Sequence, residues 1–173
     1  MRIDDELGWS VGRVDTEVAG AYHVAGHAVA ATLRGWDSGH VDLETQHPWP
    51  QAPESAQPFI AYGGMWAAAR RRGTLAGETQ ASPDRLAQAM SDHPSDATTV
   101  GQAQLEVASV LRGAGADDEW GWIPGVSAAW QAELEQMWPV VQHVAVLLLA
   151  GRSVPAARVR RLTDDRLAGG LAI

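Results

Sequence analysis

A mainly α fold, one helical domain with a small β-hairpin or edge strand, is what this chain of 173 residues predicts. Three observations predict it. Apolar residues recur at helical spacing in several long runs, and Ser, Thr or Asp, twice with an early proline, stand ahead of those runs as helix starts do. Only "HVDLET" (40–45) alternates as a short strand does. The length suits one core, so residues 1–173 are read as a single domain.

Asp15 or Thr16 caps a first helix through "EVAGAYHVAGHAVAATLR", which stops at Gly35, a residue suited to the position just past a helix end. A proline-rich loop follows "HVDLET". "FIAYGGMWAAARRRG" (59–73) is helical with a glycine pair near its start. Ser82 and Pro83 open "PDRLAQAMSDH", which ends at Pro94, and Ser95 or Asp96 starts the next helix, closing at Gly113 or Gly115. "AGADDEWGWIPG" (114–125) reads as an exposed loop or lid carrying Trp120 and Trp122. Pro139 must kink or restart the long helix around "AELEQMWPVVQHVAVLLLAG". "SVPAARVRRL" repeats the serine and early-proline start, and the tail after it frays.

Composition narrows the function. With 13 Lys+Arg against 21 Asp+Glu the formal net charge is -8, which disfavours phosphate backbones and anionic lipid surfaces. Nucleic acid and membrane are therefore not expected partners. The arginines at 70–72 and 158–161 read as solvated helix faces. There is no cysteine, so a metal must be held by imidazole, carboxylate or carbonyl oxygen, which suits a cytoplasmic protein. The longest apolar run, "VAVLLLA", is too short to span a bilayer. No phosphate-binding G-x-x-x-x-G-K-[ST] loop occurs, which removes ATP from the expected ligands.

Eight tryptophans stand against one Phe and two Tyr. Trp130 and Trp138 are expected in the core, whereas Trp120 and Trp122 are the candidates for ligand contact.

The chemistry concentrates in "AYHVAGHAVAA" (21–31). His23 and His27, four apart on one helix, point within about 40° of each other and can share one ion. In H-E-x-x-H peptidases the residue after the first histidine is the glutamate that activates water; here it is Val24. An isopropyl group takes no proton.

This segment resembles, at every position but Val24 and Ala30, the "AYHEAGHAVVA" segment of the FtsH-type zinc metallopeptidases, the proteolytic domain of membrane-bound AAA proteases. "AYGGMWAAARRRG" is similar to that family's "LYGGRLAEELIFG", with Gly63 and Gly64 kept and Ala68 and Ala69 in place of glutamates. The likeness runs over about residues 15–163 and includes the closing helices of small stand-alone relatives. It implies a helical fold of the FtsH-peptidase type, a zinc ion (Zn2+), and an aspartate at a helix start as third ligand, which nominates Asp96 in "HPSDATTVGQ".

Together these readings suggest a zinc-binding, FtsH-peptidase-like protein, with His23, His27 and Asp96 as ligands and Val24 in place of the general base. Ordinary peptidase activity is not expected, and a binding or regulatory role toward a protein or small-molecule partner is, with self-association open. The alternative is an enzyme of another reaction class that reuses the pocket for a small apolar or aromatic molecule; a metal-free domain with packed histidines is the plainest reading. Glu17, Tyr22, His40, Glu44 and His47 are the residues weighed as a substitute base. His93, three before Asp96, offers an extra ligand or a surface position at a helix end.

Overall fold

Small side chains decide how this chain packs. In the first helix, α1 (Asp4–Leu33), Ala21, Ala25, Ala28, Ala30 and Ala31 have no exposed surface, so neighbouring helices approach its backbone closely. The computed structural model describes residues 4–44, 49, 52–113 and 119–169, with backbone alone for 4–15 and 119–125. The fold is mainly α, 79% helical, and among the described residues its only sheet has two strands.

α1 begins at Asp4, about three turns ahead of the expected cap at Asp15 or Thr16. Capping preference is local, and the helical ladder runs through both residues. Gly35, at φ +96°, closes the helix as expected. Strand β1 (His40–Val41) is shorter than the alternation suggested and forms no hairpin. Asp42 stops it, because its side chain accepts the Glu44 N–H at 3.0 Å and turns the chain.

A 3₁₀ turn (Glu54–Ala56) leads into α2 (Gln57–Leu75), buried almost continuously from Phe59 to Arg70. α3 (Pro83–Asp92) starts after an extended Ser82, as its sequence signals. α4 (Pro94–Gly113) begins at Pro94 itself and not at Ser95 or Asp96, since a first helical residue needs no N–H. His93 alone separates the two helices, at φ −125° and ψ 68°, outside the helical region that a following proline disfavours.

α5 (Glu119–Gln136) corrects the loop or lid drawn for Trp120 and Trp122: both lie in a helix. The glycines and Pro124 disfavour a helix locally, and the helical run through Gln136 overrides them. α6 (Trp138–Leu149) restarts after Met137, with Pro139 in its first turn, as expected. Strand β2 (Val154–Pro155) then pairs antiparallel with β1, His40 opposite Pro155 and Val41 opposite Val154. Pro155 therefore sits in an edge strand, where its missing N–H is tolerated, and α7 (Ala156–Gly169) starts one residue later.

The core gathers around α1, with α2 and α6 against its second half. Trp66 is fully enclosed, Trp138 is buried, and Trp130 packs between the rings of Phe59 and Tyr62. Arg70 departs from the expected solvated face. It is 9% exposed, bonds Glu135 at 3.1 Å and Thr74 at 2.7 Å, and lies over the Trp138 ring. No helix among the described residues is long and apolar enough to cross a membrane.

Candidate metal centre

His23 and His27 reach one point from the buried half of α1, and α4 brings Asp96 to the same point from its first turn. A carboxylate is electrostatically at home there, beside the positive end of the helix dipole. His23 Nε2 and His27 Nε2 are 2.8 Å apart. Asp96 Oδ2 stands 3.1 Å from the first and 3.3 Å from the second. The three residues nominated from sequence thus converge, across 69 positions between His27 and Asp96.

The backbone sets the state of His27. Its Nδ1 lies 2.8 Å from the Ile60 carbonyl oxygen, which can only accept, so Nδ1 carries the proton. In the neutral ring the lone pair is then on Nε2, aimed at His23 and Asp96. Burial, offset in part by the adjacent Asp96 carboxylate, lowers the His27 pKa and keeps the ring neutral. For Asp96, burial works to raise the pKa, but the His23 and His27 imidazoles beside it outweigh burial and hold the carboxyl below the ordinary carboxylate range.

Do these residues fit a zinc ion? Bonds of about 2.0–2.1 Å in a tetrahedron place ligand atoms about 3.3 Å apart. The three separations, 2.8, 3.1 and 3.3 Å, are close to that edge. A single proton shared between the imidazoles would satisfy their contact and still leave the carboxylate oxygen facing the His27 lone pair. A cation satisfies all three together, and the carbonyl-anchored outer nitrogen of His27 is the support that metal-bound histidines receive. The donor set fits zinc.

The glycine pair of α2 makes room for this arrangement. A Cβ on Gly64 would lie 2.3 Å from the His27 ring, and one on Gly26 would lie 2.3 Å from the Gly63 carbonyl oxygen. Glycine at 26 and 63 brings the two backbones together, and at 64 it leaves space for the imidazole. Ala68 and Ala69, where the FtsH-type segment has glutamates, are fully buried.

Val24 is 8% exposed and belongs to the apolar core. Among the substitutes weighed for its missing carboxylate, Glu17 and Glu44 are exposed, His40 is exposed and pairs with Asp42 at 3.8 Å, and Tyr22 is buried against Trp138. His47 lies outside the described residues. So do the side chains of Trp120 and Trp122.

Two contributors were not singled out from sequence, and a third, His93, was left between two readings. The Ile60 carbonyl is a backbone group and leaves no trace in residue types. Trp49 places its ring 6.4 Å from that of His27, and the proline-rich sequence around it carries no periodic signal. His93 was weighed mainly as a surface residue, yet its ring stacks on His23 at 3.6 Å and 8°. Burial first, then the neighbouring His23, push the His93 pKa down to about 4. The ligating atoms of His23, His93 and Asp96 all lie within 4.8 Å of one another.

Comparison with protein-family models, with curated proteins and with solved structures finds no match to this chain. The functional reading therefore rests on the geometry of the site and on the likeness of its motifs to the FtsH-type segments.

Proposed function

We propose that this protein is a zinc-binding, FtsH-peptidase-like module that has lost peptidase competence and acts by binding or regulation. The observation that carries the reading is the convergence of His23 Nε2, His27 Nε2 and Asp96 Oδ2 within 3.3 Å, with the outer nitrogen of His27 anchored on Ile60. A bound zinc ion supplies Lewis acidity and a single intense positive charge.

The chain's own residues limit the use of that charge. Peptide hydrolysis needs a group beside the metal to take a proton from water, and the Val24 side chain has no basic atom. Loss of a positioned base typically removes a factor of about 10² to 10⁴ in rate. What the residues retain is the grip: two rings on a buried helix and one carboxylate on a second helix, which zinc would hold together.

Elemental analysis by mass spectrometry of protein dialysed against zinc tests the metal. The expected result is about one zinc per chain in the wild type and a value near zero for His27→Ala and for Asp96→Ala. A wild type that retains no zinc overturns the reading. Zinc-loaded wild type that cleaves unstructured peptides at rates typical of enzymes, about 1 per second or more, would overturn the loss of competence.

A further inference from the structure

Resting on the proposal of a zinc site, we infer that His93 is a fourth ligand, so that His23, His27, Asp96 and His93 close the coordination shell and leave the metal no position for substrate. Three ligands alone would leave one corner of the tetrahedron open.

The backbone of His93 is held from both sides. Its N–H donates to the Ala89 carbonyl of α3 at 3.0 Å, and its own carbonyl accepts from the Ala97 N–H of α4 at 3.1 Å. Pro94 comes directly after it and keeps it out of the helical region, at φ −125° and ψ 68°. The Cα of His93 is thus fixed three residues before Asp96, at the turn that delivers the carboxylate. Only the ring is free to adjust.

Distances decide whether adjustment suffices. Two nitrogen or oxygen ligands of one zinc ion are separated by at most about 4.2 Å, twice the bond length. The ligating atoms of His93, His23 and Asp96 already lie within 4.8 Å. For His93 against His23 and Asp96 the excess over that limit is less than about 1 Å, and rotation of the His93 ring about its own side-chain bonds is the movement that brings it toward the point where His23, His27 and Asp96 meet. The parallel stack on His23 must open, because an ion in the plane of one stacked ring lies outside the plane of the other.

A closed four-ligand shell is the arrangement of structural zinc sites, while an open position marks catalytic ones. Closure accounts for Val24 in a way that simple decay does not. Where no water is bound for activation, a carboxylate at position 24 has no task, and hydrocarbon packs better in the core it occupies.

Cobalt(II) in place of zinc makes the shell visible through its absorption spectrum. The proteins are wild type, His93→Ala and His93→Gln, the last retaining side-chain bulk, each checked for fold by circular dichroism. Wild type is expected to give the intense visible band of a four-coordinate site, unchanged by added imidazole. Both variants should bind cobalt at least about tenfold more weakly. Imidazole should restore the wild-type band in His93→Ala by filling the vacated position. If wild type binds cobalt and both variants match it in affinity and spectrum, His93 is no ligand and the three-ligand reading stands. If wild type responds to imidazole as His93→Ala does, the shell is open and the inference fails. If wild type binds neither cobalt nor zinc, both readings fall together.

Discussion

The seam between α1 and α2 and the limb formed by α3 and α4 both supply the proposed metal site, and they do so by opposite means. In the seam, alanine and glycine let two helices approach until single atoms decide the fit. Gly26 faces the Gly63 carbonyl, Gly64 faces His27, and the His27 ring is pinned on Ile60. In the limb, Leu105 and Val110 are largely exposed, and Gly101 has nothing within 4 Å of a would-be Cβ. Precision at one ligand thus comes from crowding, while the ligands on the other side depend on a two-helix junction that is pinned only locally at His93.

The largest expected effect breaks this comparison at its tightest point. Gly26→Ala places a methyl group 2.3 Å from a backbone oxygen and 2.6 Å from the Ala67 Cβ, so the helices must separate. We expect a loss of about 3 kcal/mol, the upper range of overpacking, whereas Gly101→Ala in the limb should gain about 0.5–1 kcal/mol from helix propensity. Urea denaturation of both variants reads the two signs, and equal values would abolish the distinction.

Acid sharpens it next. His27 in the seam and His93 in the limb both have pKa values lowered by burial. The folded form resists protonation where the unfolded chain accepts it at about 6.5. Their contribution to metal-free stability is therefore complete above that value and drains away as pH falls toward about 4, the folded value for His93. Denaturation midpoints of the metal-free protein should fall from pH 7.5 to pH 5. His93→Gln should flatten the fall, leaving the part due to His27. A midpoint that is level in the wild type would contradict the neutral state of both rings.

The smallest effect concerns the seam's outer border, where Arg34, just past the end of α1, meets Glu133 of α5 through two 2.7 Å hydrogen bonds. Both side chains are about one-third exposed. Glu133→Gln should cost less than about 1 kcal/mol, as surface pairs do. Thermal melts resolve this against Gly26→Ala. A cost matching that of the glycine would move the tightest constraint from backbone contact to charge.

What could be seen in the sequence was what neighbouring residues dictate. The spacing of His23 and His27, the glycine pair, the Ser82–Pro83 start and the restart at Pro139 all arise from local geometry, and the structure shows each. The hairpin did not form because β1 finds its partner in β2, more than a hundred residues on, and no local pattern encodes that. Arg70 was assigned to a wet face, since charge argues for solvent unless a partner such as Glu135 is known. The early start of α1 and the helical state of Trp120 and Trp122 were hidden by cap and turn preferences that the continuing helix overrides. His93 was ambiguous because its stacking partner belongs to another helix.

The pairing of β1 with β2 also bears on how the chain matures. Val41 is sealed by Val154, the Ala156 N–H bonds Gly39, and α6 and α7 both lie against α1. During synthesis the histidine-bearing segment emerges more than a hundred residues ahead of α6, while α2 follows it much sooner. Until α6 and α7 arrive, the side of this alanine-rich helix that they cover has no neighbour, and long-range closure of this kind is slow. The nascent chain is therefore most open to chaperone capture and to premature ion uptake before α6 and α7 emerge.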